Sequence, residues 1–292
     1  MRPDTLKDIV GQDKAKQVAQ ILIKAAKKKG GVLPHIASSG SAGTGKTTLA
    51  LAIANEMGSK LHISNGSIIR NIKDLKRYLD EIKEGDILFI DEIHRLPIRV
   101  CESLYTILED FRYEYIDKEK AYSVELPQFT MMGATTHIGT LPDPLRQRLK
   151  FILEFEKYTL EELTEISSRV AKENGFALQK NTAKKIAMTC RGNPRMTVNR
   201  TEWIRDYLIA SDDKSLTGEE LSNVIKMQGF DEDGLRSQDY RYLEILKKHG
   251  PISLESVANK LCMDIVTVKE DIEPYLVEMN KIDIGKKGRS LV

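Results

Sequence analysis

Eight residues constrain this 292-residue chain more than any others. Gly40-Ser41-Ala42-Gly43-Thr44-Gly45-Lys46-Thr47 matches G-x-x-x-x-G-K-[ST] in full. With glycine near ~7% of residues, chance supplies such a match in on the order of one chain in a hundred. Context narrows it further. A short strand around His35 to Ser38 precedes the glycines, and a helix follows with Leu49, Leu51, Ile53, Ala54 and Met57 at its apolar positions. A strand, a glycine-rich turn and a helix start make a phosphate cradle. Glycines let backbone N–H groups close around phosphate oxygens, and the helix points its positive dipole end at the same anion. Lys46 adds a point charge for the β- and γ-phosphates, and the Thr47 hydroxyl can ligate Mg²⁺.

A second run completes the expected chemistry. Ile87-Leu88-Phe89-Ile90 is continuously apolar and ends in Asp91-Glu92, which is how a strand buried on both faces of a parallel sheet reads. A carboxylate at that strand end can hold the water shell of Mg²⁺, and the next can polarise an attacking water. Two adjacent acids fit hydrolysis better than transfer to a small acceptor. A further apolar strand, Phe129–Gly133, ends in Ala134-Thr135-Thr136. Phosphoryl transfer also gains from cations aimed at the γ-phosphate. Arg146, Arg148 and Arg195 are candidates, although spacing alone does not bring them to a nucleotide.

Strands alternating with helices predict an α/β domain over residues 1–156. Residues 157–229 read as helices separated by Gly175, Gly192-Asn193-Pro194 and Gly218, a small helical domain. Beyond the turn-rich stretch Gly229–Gly234, residues 230–292 show three short helical patterns and a hairpin with a basic tip. That is the outline of a winged helix-turn-helix. Trp203, Ile204, Tyr207 and Leu208 are expected in the core of the helical part, and Cys101 and Cys262 are expected to be buried. The charge balance, 45 basic against 43 acidic residues, leaves nucleic-acid binding to a local patch. Lys286, Lys287 and Arg289 at the hairpin are that patch, suited to phosphate contacts. No apolar run approaches the ~20 residues of a membrane helix. Met1-Arg2-Pro3-Asp4 opens no secretory signal. The three cysteines form no framework, so a reducing cytoplasmic setting is expected. The five histidines show no zinc spacing.

Taken in order, these motifs resemble the AAA+ ATPases, and within them the RuvB family. The phosphate loop, Asp91-Glu92-Ile93-His94-Arg95-Leu96, Gly133-Ala134-Thr135-Thr136, Pro144-Leu145-Arg146-Gln147-Arg148 and Arg191-Gly192-Asn193-Pro194-Arg195 carry the resemblance. So do Arg2-Pro3-Asp4-Thr5-Leu6, Val10-Gly11-Gln12 and Glu273-Pro274-Tyr275-Leu276. It implies an AAA+ P-loop domain, a helical lid and a winged helix. It also implies an ATP hydrolase driving branch migration of Holliday junctions in recombination and repair, with ATP/ADP and Mg²⁺ as cofactors. Lys46, Thr47 and Thr48 would contact phosphates, Gly43 and Gly45 would line the loop, and Thr47 and Asp91 would serve the metal. Asp91 and Glu92 would be the Walker B pair. Thr136, or its neighbour Thr135, would be the sensor at the strand end. Arg148 would be the arginine finger for the neighbouring subunit, with Arg146 as a candidate helper, and Arg195 the second sensor. Met1, Arg2, Tyr158 and part of Glu109-Asp110-Phe111 would lie near base and sugar.

The resemblance further implies a homo-hexameric ring around duplex DNA and a partner, RuvA, that holds the four-way junction. The sequence departs from the family at four places. In the phosphate loop Ser41-Ala42 and Thr44 stand where the family usually has Pro-Pro and Leu, all at free positions of the motif, so binding should survive. The segment from Phe111 to Pro127 is shorter than the family's pre-sensor hairpin and carries Asp117-Lys118-Glu119-Lys120 in place of a Gly-rich tip, so the resemblance does not carry RuvA docking over. The wing keeps only the last arginine of the family's basic run. Leu149-Lys150 follows Arg148 where the family has Phe-Gly. A different class of function fits the same three-part layout: a nucleotide-gated DNA-binding switch, initiator-like or clamp-loader-like, with incidental turnover.

Overall fold

The computed structural model describes residues 3–117, 120–213 and 216–292, and falls into two compact units that divide after Glu162. In the first unit, helix α1 (Asp13–Lys29) carries Ala15, Ala19, Leu22, Ile23 and Ala26 on its buried stripe. Next come β1 (Ile36–Ser39), α2 (Lys46–Met57), β2 (Leu61–Asn65), α3 (Ile72–Leu79) and β3 (Ile87–Asp91). They are followed by α4 (Ile98–Asp110), the antiparallel pair β4 (Arg112–Asp117) and β5 (Lys120–Glu125), β6 (Thr130–Thr135), α5 (Asp143–Arg148) and β7 (Phe151–Glu154).

Five strands form one parallel sheet in the order β2-β3-β6-β1-β7. Side chains alternate between its faces. Ile87 and Phe89 pack with α1 and α2 on one side. Leu88 and Ile90 pack with α3, α4 and α5 on the other. A strand covered twice must be apolar throughout, which is why β3 is legible as an uninterrupted tetrad. The edge strands β2 and β7 escape sequence reading for the complementary reason. Ile63 is exposed in β2, and in β7 only Leu153 is buried.

The second unit begins within α6 (Leu160–Glu173) and continues through α7 (Lys180–Met188), α8 (Pro194–Ser211) and α9 (Gly218–Met227). Then come α10 (Ser237–His249), α11 (Leu254–Leu261), α12 (Ile265–Thr267), α13 (Glu273–Glu278) and the hairpin β8 (Ile282–Gly285) and β9 (Gly288–Leu291). Tyr242, Leu246, Val257, Leu261, Val268, Ile272 and Leu276 close the core of this last module. Between α12 and α13 the chain makes a π-turn over Val268–Ile272. Pro274 explains it: the ring has no N–H to donate and crowds the carbonyl four residues back, so the turn widens.

Two burial expectations are corrected. Cys262 is exposed, because α11 ends there and the residue caps it in the left-handed region at φ 57°. Trp203 sits at the rim of the lid core with its indole N–H on the Val224 carbonyl at 3.3 Å, while Ile204 and Leu208 are buried. Cys101 is buried as expected.

An internal polar pair steadies the start of β3. The Asp86 carboxylate accepts from His62 Nε2 at 2.9 Å and from the Lys83 N–H at 3.0 Å. Burial opposes its ionisation, but these donors outweigh burial and hold the carboxyl below its ordinary range. A group depressed in this way adds stability above its unfolded pKa, about 3.9, and loses it as pH falls through the folded value. Asp86→Asn is therefore expected to lower Tm at pH 7 by roughly 4 °C. The gap to wild type should narrow as pH falls below the ordinary carboxylate range and through the lowered folded value, as followed by circular dichroism. A gap independent of pH would refute the assignment.

Candidate active site

Strand register builds the site. Ala37, Gly133 and Ile90 lie in one row across β1, β6 and β3. One residue further on come Ser38, Ala134 and Asp91. The next row holds Ser39 and Thr135, with Glu92 just past β3. Three motifs far apart in sequence thus end at one edge of the sheet, where open α/β folds bind ligands.

At that edge Gly40 donates its N–H to the Thr135 carbonyl at 3.2 Å. A Cβ on Gly40 would lie 2.6 Å from the Phe155 Cβ, so only glycine fits where the loop leaves β1. Gly45, at φ 98°, starts α2. The Lys46 side chain is buried, with Nζ donating to the Gly40 and Ser41 carbonyls at 2.7 and 2.8 Å. Its charge is thereby held over the mouth of the loop at the start of a helix, the arrangement a polyphosphate needs. Tyr158 closes the loop from behind. Its hydroxyl donates to the Thr44 carbonyl at 3.2 Å, and burial pushes its pKa up to about 12. Gln12 ties the same region together: its side chain donates to the Glu156 carbonyl at 2.8 Å and accepts from the Glu156 N–H at 3.1 Å.

Glu92 stands in the left-handed region at φ 48°, ψ 43°, an uncommon setting for a non-glycine residue that turns its side chain away from the strand direction. Asn65 Nδ2 donates to its carboxylate at 3.4 Å, and Arg95 Nε lies 3.4 Å from the same oxygen. The chain at Gly66 passes so close that an added Cβ would lie 2.4 Å from the Glu92 carbonyl oxygen. Thr135 is buried, and its hydroxyl lies 3.0 Å from His94 Nδ1 while accepting from the His137 N–H at 2.9 Å. Burial, with His137 beside it, lowers the pKa of His94. Thr136 is exposed just beyond the strand. Sequence reading left Asn65, Gly66 and Gln12 unassigned. Their only signal is position at the end of an unrecognised edge strand and in the Val10-Gly11-Gln12 run.

The remaining candidates divide. Arg148 is held at home: its guanidinium pairs with Glu109 and donates to the Tyr105 and Pro144 carbonyls, each at 2.9 Å. Arg146 pairs with Asp143 at 2.7 Å on the surface of α5. Glu109, Asp110 and Phe111 do not meet the chain's own phosphate loop. Phe111 packs on His35 and Phe129, which precede β1 and β6, so it lies at the opposite sheet edge. Arg195 is exposed at the first turn of α8, which Asn193 caps. Met1 and Arg2 lie outside the described residues, as do Lys118 and Glu119 of the hairpin tip. At the wing, Lys286 and Lys287 are exposed in the β8–β9 turn. Arg289 differs from the two lysines: it pairs with Glu273 at 2.8 Å and is largely covered, so it braces the wing from within. No group of three or more His, Cys, Asp or Glu side chains able to hold a metal occurs among the described residues. None of their helices is long and apolar enough to cross a membrane.

Family models described as the Holliday junction DNA helicase RuvB P-loop domain, the RuvB AAA lid domain and the RuvB C-terminal winged helix domain match residues 1–155, 158–231 and 232–292. The chain belongs to the RuvB family. The Holliday junction branch migration complex subunit RuvB of Pseudothermotoga lettingae is 37% identical over 296 residues, covering 99% of this chain and 86% of that protein. The corresponding protein of Campylobacter lari is 38% identical over 295 residues, covering 99% and 88%. The Thermotoga maritima RuvB Holliday junction branch migration motor superposes with a TM-score of 0.87 at 34% identity, covering 100% of this chain and 95% of that one. As a RuvB-type AAA+ ATPase, the chain joins a parallel-sheet P-loop domain, a helical lid and a winged helix. The P-loop is its nucleotide site.

Since the Gly66 backbone and the Glu92 carbonyl leave no room for a methyl group, Gly66→Ala must displace the Glu92 turn. We expect kcat for ATP to fall at least about tenfold, since overpacking costs about 1–3 kcal/mol and ~1.4 kcal/mol is a decade in rate. Lys46 is untouched, so nucleotide affinity should stay within about threefold. Steady-state hydrolysis and fluorescent-nucleotide titration check this; equal losses in both would contradict it.

Proposed function

We propose that this chain is an ATP-driven motor that moves duplex DNA at four-way junctions, acting as a ring of identical subunits. The observation that carries it is the single sheet edge at which Lys46, Asp91, Glu92 and Thr135 arrive together in a RuvB-family chain. In this reading residues 1–156 bind nucleotide, 157–229 form the lid and 230–292 bind DNA. The loop amides and Lys46 hold the β- and γ-phosphates. Glu92, steadied by Asn65, takes the proton of the attacking water. Thr47 and Asp91 offer a hydroxyl and a carboxylate, hard oxygen donors of the kind Mg²⁺ accepts beside phosphate and water. The metal would neutralise charge on the phosphates. Thr135 or Thr136 reads the terminal phosphate, and Arg195 contacts it from the lid. Arg148 acts on the nucleotide of the next subunit, with Glu109 beside it.

Charge favours the wing as the DNA contact. Residues 264–279, which would lie along the groove in a helix-reading mode, carry Asp264, Glu270 and Glu278 against Lys269, besides Asp271 and Glu273, which pair with Arg236 and Arg289. Phosphates would be repelled there and attracted to Lys286 and Lys287, so contacts of this kind carry no sequence preference. Release of counterions then makes DNA affinity fall steeply with salt.

Two experiments test this reading. The first is branch migration of a synthetic four-way junction at low salt, with and without a RuvA protein. ATP-dependent migration is expected; tight ATP binding with negligible turnover at ring-forming concentrations would favour a nucleotide-gated switch. The second mixes Arg148→Ala with Lys46→Ala. Each alone should lose hydrolysis, by about 10³-fold or more for Arg148→Ala, which should keep ATP binding. The mixture should recover part of the activity because intact loops meet intact arginines. Absence of rescue would exclude a site shared between subunits.

A further inference from the structure

Arg191 opens the loop that carries Arg195, and the hydrolytic reading gives it no task. Its backbone is left-handed at φ 53°, and its side chain is only 8% exposed. Nε donates to the Gly234 carbonyl at 2.8 Å, while Nη2 pairs with Asp239, a fully buried carboxylate on α10, the first helix of the winged-helix module. The guanidinium also lies 4.5 Å from the ring centre of Tyr275 and 5.7 Å from that of Phe230. Phe230 in turn carries the Arg200 guanidinium of α8 at 4.1 Å.

The contacts continue toward the wing. Tyr275 donates its hydroxyl to the Asp233 carbonyl and stands two residues after Glu273. The Glu273 carboxylate accepts from the Tyr242 hydroxyl at 2.8 Å and from Arg289 at 2.8 and 3.3 Å. The Arg289 backbone exchanges two hydrogen bonds with Ile252, at 2.8 and 3.2 Å. Lys287 is two residues away, at the wing tip. Side-chain contacts joined by short backbone steps, Tyr275 to Glu273 and Arg289 to Lys287, thus link the Arg195 loop to the proposed DNA contact, all inside one compact unit.

Stability is a poor explanation for this cluster. Arg191 Nη1 and Asp239 Oδ1 are buried without a hydrogen-bond partner among the described residues. Apolar side chains of similar volume often hold a core as well as, or better than, a buried ion pair. A planar fork set against aromatic faces fixes an orientation instead. We propose that Arg191, held by Asp239 and Tyr275, is a positioning residue that locks the Arg195 loop of the lid to the DNA-binding module, so that displacement of Arg195 is delivered to the wing. This rests on the roles proposed above for Arg195 and for Lys286 and Lys287.

The test uses the full chain and three variants: Arg191→Lys, Asp239→Asn and the apolar pair Arg191→Met with Asp239→Leu. The apolar pair removes both charges together, and Arg236, which also pairs with Asp239 at 3.5 Å, keeps Asp271 at 2.8 Å. Because Asp239 also accepts the Arg236 N–H at 2.6 Å at the start of α10, Tm establishes that the pair is folded before it is read. We expect basal ATPase and duplex affinity within about twofold of wild type, since neither residue touches a proposed ligand. Stimulation of ATPase by duplex DNA should fall at least about fivefold, the lower range of coupling between sites. Arg191→Lys should not rescue it, because an ammonium lacks the fork. Hydrogen exchange in residues 282–291 should change between ADP and a non-hydrolysable ATP analogue in wild type, but not in the pair. Full stimulation or undiminished exchange coupling in a folded pair overturns the proposal. So does a wild-type protein in which nucleotide alters neither DNA-stimulated turnover nor wing exchange. If Arg195→Ala leaves nucleotide affinity and hydrolysis intact while exchange coupling persists, the sensor assignment fails and the lock stands.

Discussion

The shared ending of parallel strands at one edge is the constraint on which the rest of this protein depends. Hydrogen bonds between β1, β6 and β3 set the level at which the phosphate loop, Thr135 and Asp91 arrive. A slip of one residue would invert every side chain of the slipped strand and break both apolar layers. The same packing that stabilises the sheet therefore fixes the spacing of the candidate site residues. The loop has little freedom of its own, since Gly40 is bound to the Thr135 carbonyl and crowded by Phe155.

The parts of the fold that were readable in advance are those where one physical demand acts alone. Gly40–Thr47 must cradle an anion, and β3 must be apolar on both faces, so both announce themselves. Where demands compete, the signal is lost. His62 and Ser64 are buried polar residues in β2, and Phe151 and Ile152 are exposed apolar residues in β7. Both strands consequently read as irregular chain. Cys262 was misplaced because an apolar pattern does not reveal which residue ends a helix.

Site residues follow the same rule. Lys46, Asp91 and Glu92 could be named from spacing. Asn65 and Gly66 could not, because their importance comes from the neighbouring strand and not from their own surroundings in sequence. Phe111 and Arg289 show what a motif-like run leaves out. Each belongs to a motif-like run, yet one packs on His35 and Phe129 and the other is neutralised by Glu273. Charge type alone did not distinguish a brace from a ligand.

The resting contacts of Arg148 have a consequence for assembly. Its guanidinium is already ordered by Glu109 and two carbonyls, so little side-chain entropy remains to be lost when another subunit approaches. On the proposed reading, reaching across the boundary exchanges one anion for another: the Glu109 carboxylate for a terminal phosphate. That exchange has an anion to offer only while the phosphate is present, and turns uphill once it has left. Cohesion between neighbours would then loosen after every turnover, and spent subunits would be the first to let go.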